Sequence, residues 1–124
     1  MIPFDIDVRL EHEGEGPERF TLDLAFQAPG ETTVLFGPSG AGKSTLLQAI
    51  LGGRRPDRGR IQVAGRTVFD SSEGVDLPAR KRNIGIVFQD ALLFPHLDVR
   101  RNVAFGATGG NRYATSQELL ERVE

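Results

Sequence analysis

A chain of 124 residues holds one domain at most, and one of this size buries about two-thirds of the surface its unfolded form exposes. With 15 Lys+Arg against 17 Asp+Glu, the formal net charge of −2 excludes a global pull toward nucleic acid or an anionic membrane surface, so any phosphate binding must be local. The absence of cysteine excludes disulfides and thiolate metal sites, and the lack of a basic leader or of any run near the ~20 apolar residues of a membrane span predicts a soluble chain of the reducing cytoplasm that meets a membrane only by docking on a partner.

Phe4, Ile6, Val8 and Leu10 alternate with polar residues, as do Phe20, Leu22, Leu24 and Phe26, and this period of two predicts half-buried strands. Glu13-Gly14-Glu15-Gly16-Pro17 between them reads as the turn of an antiparallel hairpin. After Pro29-Gly30, the run Thr33-Val34-Leu35-Phe36 reads as a strand buried on both faces. A helix is predicted from Lys43, with Leu46, Leu47, Ile50 and Leu51 on one stripe and Gly52-Gly53 as its stop. Residues 60–64 and 67–70 around Gly65 predict a second hairpin, followed by a polar loop through Leu77 and a buried strand over Ile84–Phe88. Near the end, Thr115-x-x-Glu118 reads as a capping box opening a last helix with Leu119, Leu120 and Val123.

Gly37-Pro38-Ser39-Gly40-Ala41-Gly42-Lys43-Ser44 fits G-x-x-x-x-G-K-[ST], and Thr45 follows it. A triphosphate needs many donors at close range, and glycine lets the backbone curl with its N–H groups inward. Gly37, Gly40 and Gly42 are expected to supply that curl, and the helix opening at Lys43 adds free N–H groups and a partial positive charge. Lys43 is expected to reach the β- and γ-phosphates of ATP, Ser44 to place its hydroxyl on Mg²⁺, and Thr45 to lie near the α-phosphate. Such a loop does not by itself separate a kinase from a GTPase or a transporter ATPase, because one fold hosts many functions.

The separating segment is Val87-Phe88-Gln89-Asp90, then Leu92-Leu93-Phe94-Pro95-His96-Leu97 and Val99-Arg100-Arg101-Asn102-Val103. It resembles the Q-loop region of ABC ATPases. Together with Gly65-Arg66-Thr67-Val68-Phe69-Asp70 and Leu77-Pro78-Ala79-Arg80-Lys81-Arg82, it is most similar to the ATP-binding subunits of molybdate importers, while sulfate, polyamine and sugar importers share much of the pattern. The resemblance implies that Gln89 offers its amide oxygen to Mg²⁺ or to the attacking water, so that Lys43 and Gln89 are the catalytic candidates and Ser44 and Gln89 the metal ligands. It also implies that Phe94, Pro95, His96 and Leu97 dock on an integral-membrane permease subunit, that complete subunits act as a homodimer on the inner face of the cell membrane, and that nucleic acid is no partner.

The fold so implied is α/β: a P-loop NTPase core with a parallel sheet and helices plus an antiparallel β subdomain, truncated. Residues 1–88 form the nucleotide-binding core with its β subdomain, and 89–124 the Q-loop and the beginning of a helical subdomain. Members of the resembled family stack adenine on an aromatic residue of the first hairpin; here that position falls near Gly14, with His12 close by, read either as its substitute or as a solvated turn histidine. The sequence carries no Ser-Gly-Gly signature, no apolar strand ending in Asp-Glu and no switch histidine, so this chain alone is expected to hold ATP without hydrolysing it efficiently. An inert ATP-binding fragment and a non-transport ABC ATPase are the alternatives. Arg54-Arg55, Arg58 and Arg80-Lys81-Arg82 are expected to be solvated loops, without the interleaved aromatics of a nucleic-acid surface.

Overall fold

The computed structural model describes residues 3–13, 19–90, 92–107 and 112–122. These divide into two compact units, Met1–Gly85 and Ile86–Glu124.

The first unit is built on β1 (Phe4–Glu13) and β2 (Arg19–Ala28), which pair antiparallel from Phe4↔Ala28 through Val8↔Leu24 to Glu13↔Arg19. The hairpin read from the alternation is therefore present, while its turn at residues 14–18 lies outside the described residues. The second hairpin is also present, as β3 (Arg58–Val63) and β4 (Arg66–Asp70), and a two-residue strand β5 (Val75–Asp76) pairs with β4 in what the sequence suggested was loop. β1 joins the hairpins by pairing antiparallel with β3, so the sheet runs β2-β1-β3-β4-β5.

Helix α1 (Lys43–Leu51) lays Leu46, Ala49 and Ile50 on the apolar face of this sheet. Ile6, Val8, Leu10, Leu22, Ile61, Val68 and Phe69 complete the core. The predicted stripe needs correction: Leu47 is 48% exposed, because the sheet covers one side of the helix and the i, i+3, i+4 set turned toward it is 46, 49 and 50. Gly52 ends the helix in the left-handed region (φ 83°), and its N–H and that of Gly53 close onto the carbonyls of Ala49 and Gln48.

Two predicted strands are not formed. Residues 33–36 and 84–88 have no ladder partner, and every pairing in the sheet is antiparallel. A parallel strand needs ladder bonds from strands beside it, and an apolar run without such neighbours has nothing to fix its extended form. Val34 and Phe36 are 82% and 95% exposed accordingly, whereas Ile84 still packs against the sheet core. The reading of Arg58 and Arg80–Arg82 as solvated loop also fails: Arg58 opens β3, and Arg80 to Arg82 are helical with the last of them buried. Helix α2 (Ala79–Arg82) buries Arg82, whose Nε donates to Leu77 O (2.7 Å) and whose Nη1 donates to Ala49 O (2.8 Å) and Ile50 O (2.9 Å). Nη2 meets Asp76 Oδ1 at 3.1 Å. The guanidinium is thus drawn inward by the carbonyls at the negative end of α1. Burial lowers the pKa of Arg82 from the usual arginine value, opposed by the charge of Asp76.

The second unit contains α3 (Val99–Ala104), capped by Asp98, whose side chain accepts from Arg101 N at 2.8 Å, and α4 (Arg112–Glu121). α4 begins three residues before Thr115, so Thr115 lies inside the helix rather than at its cap. Arg112 and Ala114 are good helix formers and extend it upstream, and the side chain of Thr115 is outside the described residues.

Candidate functional site

The loop from Gly37 leads into α1 by a route that two glycines make possible. Gly40 and Gly42 have φ of 81° and 93°, a region closed to most side chains, while Gly37 lies outside it. At Gly42 a second constraint operates: a Cβ there would stand 2.7 Å from Phe20 Cζ and 3.0 Å from Leu22 Cδ1. Glycine is therefore required at position 42 both for backbone conformation and for the close approach of β2.

Gly42 is also the N-cap of α1 and brings no side-chain cap to it. The first-turn N–H groups of a helix have no intrahelical acceptor, and with the helix dipole they make a site for anions. The residues of that turn, Lys43, Ser44 and Thr45, line a cleft of about 280 Å³ together with Phe20, Ser39, Gly40 and Gly42. The Lys43 ammonium lies across the loop, with Nζ donating to Gly37 O (2.8 Å) and Pro38 O (2.6 Å), and Ala41 N closes the turn onto Pro38 O (3.3 Å). One cleft thus contains a cation, a helix N-terminus and three hydroxyl side chains. That donor set suits a chain of phosphates. Among the described residues no three His, Asp or Glu side chains come together to hold a metal, so an ion in this cleft would take one oxygen from Ser44 and most others from phosphate and water, the arrangement Mg²⁺ favours.

Gln89 belongs to the second unit and sits in an exposed bend with Asp90. Phe94 to Leu97 form a turn closed by Leu97 N donating to Phe94 O at 3.1 Å. Asn102 of α3 holds that turn from the side: its Oδ1 accepts from Phe94 N (2.9 Å), and its Nδ2 donates to Phe94 O (3.2 Å), Leu97 O (2.9 Å) and Asp98 O (3.1 Å). The Phe94 ring stands between Phe105 (4.3 Å between centroids) and His96 (5.9 Å). Leu92 and Leu93 are exposed rather than core.

Sequence reasoning missed the presence of Phe20 in the cleft and the grip of Arg82 on α1. The inward register of β2 could have flagged Phe20, since it is the first residue of the 20, 22, 24, 26 face, but its neighbour Gly42 is remote in sequence. The positions considered for an aromatic contact, Gly14 and the side chain of His12, lie outside the described residues.

Residues 21–124 match the family model described as ABC transporter. The chain is 50% identical over 96 residues to the molybdenum import ATP-binding protein of Brucella melitensis, an overlap of 77% of this chain and 27% of that protein. To the molybdenum import ATP-binding protein of Rhodospirillum rubrum it is 43% identical over 120 residues, 94% of this chain and 31% of the other, and to that of Vibrio cholerae 50% over 93 residues, 75% and 25%. The chain spans about a quarter of the length of the curated relatives it matches.

Proposed function

The chain belongs to the ABC transporter family, and from that premise we propose that it supplies the ATP-binding face of the nucleotide-binding subunit of an importer for molybdate or a related oxyanion. The observation that carries this reading is the convergence of Lys43, Ser44, Thr45 and the N-terminus of α1 on one cleft. The N–H groups of the loop and of the first helical turn bind the phosphate oxygens, and Lys43 exchanges the carbonyls of Gly37 and Pro38 for the β- and γ-phosphates. Ser44 would hold Mg²⁺ through its hydroxyl oxygen, and the ion would supply neutralisation of the charge that develops on the phosphates. Gly37, Pro38, Ser39, Gly40 and Ala41 set the course of the loop, and Thr45 stands toward the α-phosphate.

In the whole subunit, Gln89 serves as a further oxygen ligand to the metal or as a guide for the attacking water, in a core completed by parallel strands. We assign residues 1–88 to the nucleotide-binding core and 89–124 to the Q-loop and the helical subdomain. Phe94, Pro95, His96 and Leu97 dock on the integral-membrane permease subunit, and two complete subunits enclose ATP between them at the cytoplasmic face of the membrane, coupling hydrolysis to transport. Among the described residues no helix is long and apolar enough to cross a membrane, which suits a subunit held there by a partner.

The test is Lys43→Ala. Its circular dichroism is expected to match that of the wild type while titration calorimetry with Mg-ATP shows affinity lowered by roughly 100-fold, the value of about two charge-assisted hydrogen bonds. Unchanged affinity in a folded variant refutes the assignment.

A further inference from the structure

Resting on the phosphate reading of the cleft, we infer that Arg82, which is not among the residues lining it, is a positioning residue for it: by gripping the far end of α1, the guanidinium holds the first turn of that helix ready for phosphate. The helix needs such help. Its positive end carries Lys43, a charge that opposes the dipole an anion would exploit. No acidic residue in the first turn offsets that ammonium, no basic residue in the last turn balances the other end, and the N-cap Gly42 brings no side-chain bond. At nine residues, α1 is also shorter than a helix that stands in water unaided. Leu46, Ala49 and Ile50 seat it on the sheet, but apolar contact is non-directional and opposes rotation or axial shift only weakly.

Directional bonds come from another segment. Arg82 Nη1 donates to Ala49 O (2.8 Å) and Ile50 O (2.9 Å), while Nε donates to Leu77 O (2.7 Å) and Nη2 to Asp76 Oδ1 (3.1 Å). One planar group thus ties the last turn of α1 to the stretch that runs from β5 into α2. The fit is close, since a Cβ on the C-cap Gly52 would lie 2.7 Å from Arg82 Nε. The side chain is 1% exposed, so its positive charge at the negative end of the helix is little screened by water. The charge that phosphate binding demands at one end of α1 is balanced from a distant segment at the other, and a ligand on the first turn is coupled to the grip on the last.

The experiment titrates Mg-ATP and, separately, inorganic tripolyphosphate with Mg²⁺ into the whole chain by calorimetry, for wild type, Arg82→Met, Arg82→Lys and Asp70→Asn. Trimethylamine N-oxide is present to keep each variant folded, and each affinity is corrected for the folded fraction read from that variant's urea curve. After that correction, a residue that only stabilises the fold leaves affinity unchanged, whereas a positioning residue does not. Arg82→Met is expected to weaken both probes roughly tenfold, within the usual range of coupling between sites. Arg82→Lys, which keeps the charge without the planar fork, should recover part of that loss. Asp70→Asn, whose hydrogen bonds stay within its own turn, should bind both probes as the wild type does. If the methionine variant does not fold even so, the lysine variant decides the matter, with weakened binding expected. Wild-type affinity in the folded Arg82 variant, or an equal loss in Asp70→Asn, overturns the proposal and leaves Arg82 a residue of stability alone. A wild type that binds neither probe instead removes the phosphate reading on which the proposal rests.

Discussion

Replacing Arg82 by methionine keeps the aliphatic stem and removes the guanidinium. The side chain is 1% exposed and donates to three main-chain carbonyls, those of Leu77, Ala49 and Ile50, besides meeting Asp76. Asp76 is 38% exposed on its side chain and returns to water at little cost. Ala49 O retains the N–H of Gly52 at 3.3 Å, so its loss is partial, whereas the buried carbonyl of Ile50 and the part-buried carbonyl of Leu77 each give up a charged donor. At about 1–1.5 kcal/mol for each such carbonyl and less for Ala49, the expected destabilisation is about 3 kcal/mol. With a urea slope of about 1.5 kcal/mol/M, that lowers the unfolding midpoint by about 2 M at an unchanged slope. The assay is urea unfolding followed by circular dichroism on wild type, Arg82→Met and Arg82→Lys. Lysine should recover only part of the loss, since an ammonium lacks the planar fork that spans both ends of this contact. A methionine variant within about 0.5 kcal/mol of wild type would show that water satisfies those carbonyls and that the guanidinium is incidental.

Further outcomes are expected elsewhere. In Asn102→Ala, the turn of Phe94 to Leu97 loses its side-chain clamp, and exchange of the Phe94 amide with deuterium should accelerate about tenfold; an unchanged rate would mean that α3 does not hold the turn. Asp70 is held below the usual carboxylate pKa first by the Ser72 hydroxyl and then by the N–H groups of Ser72 and Glu73, against the opposing effect of burial. Its contribution is therefore fully present above the unfolded pKa of about 3.9 and is lost as the pH falls through the lower folded value. Asp70→Asn should flatten that acid limb of the urea midpoint plotted against pH, and identical limbs would remove Asp70 as the cause.

What could be read in the sequence was set by short-range rules. The alternation of Phe4 to Leu10 and of Phe20 to Phe26 defines both strands and their inner faces, because side-chain direction in a strand repeats every two residues and needs no knowledge of the partner. The glycine spacing before Lys43 announces the loop for a similar reason, since it records a backbone requirement at fixed positions. Family membership was legible in the Phe88 to His96 segment and is borne out by the match over residues 21–124. What depended on distant partners was not legible. Apolar runs such as 33–36 and 84–88 state that burial is favoured without stating which strand lies alongside, and in the structure neither is paired. Arg82 looked like one more charge in a basic stretch, because the carbonyls it holds come from a helix more than thirty residues earlier, at separations of 33 and 32. The period places Phe20 on the inner face of a half-buried strand, as found, and only the path of β2 past Gly42 brings its ring to the cleft.

The ammonium of Lys43, tied to the carbonyls of Gly37 and Pro38, makes the loop its own resident competitor. An incoming anion does not meet a bare charge; it enters an exchange in which two internal acceptors must be displaced. On the phosphate reading proposed above, a single phosphate offers little beyond the pair it evicts, whereas a polyphosphate would also engage the helix turn and gain contacts that the resident carbonyls cannot match. The contact that braces the loop would then set a threshold, favouring ligands long enough to bind at several points at once.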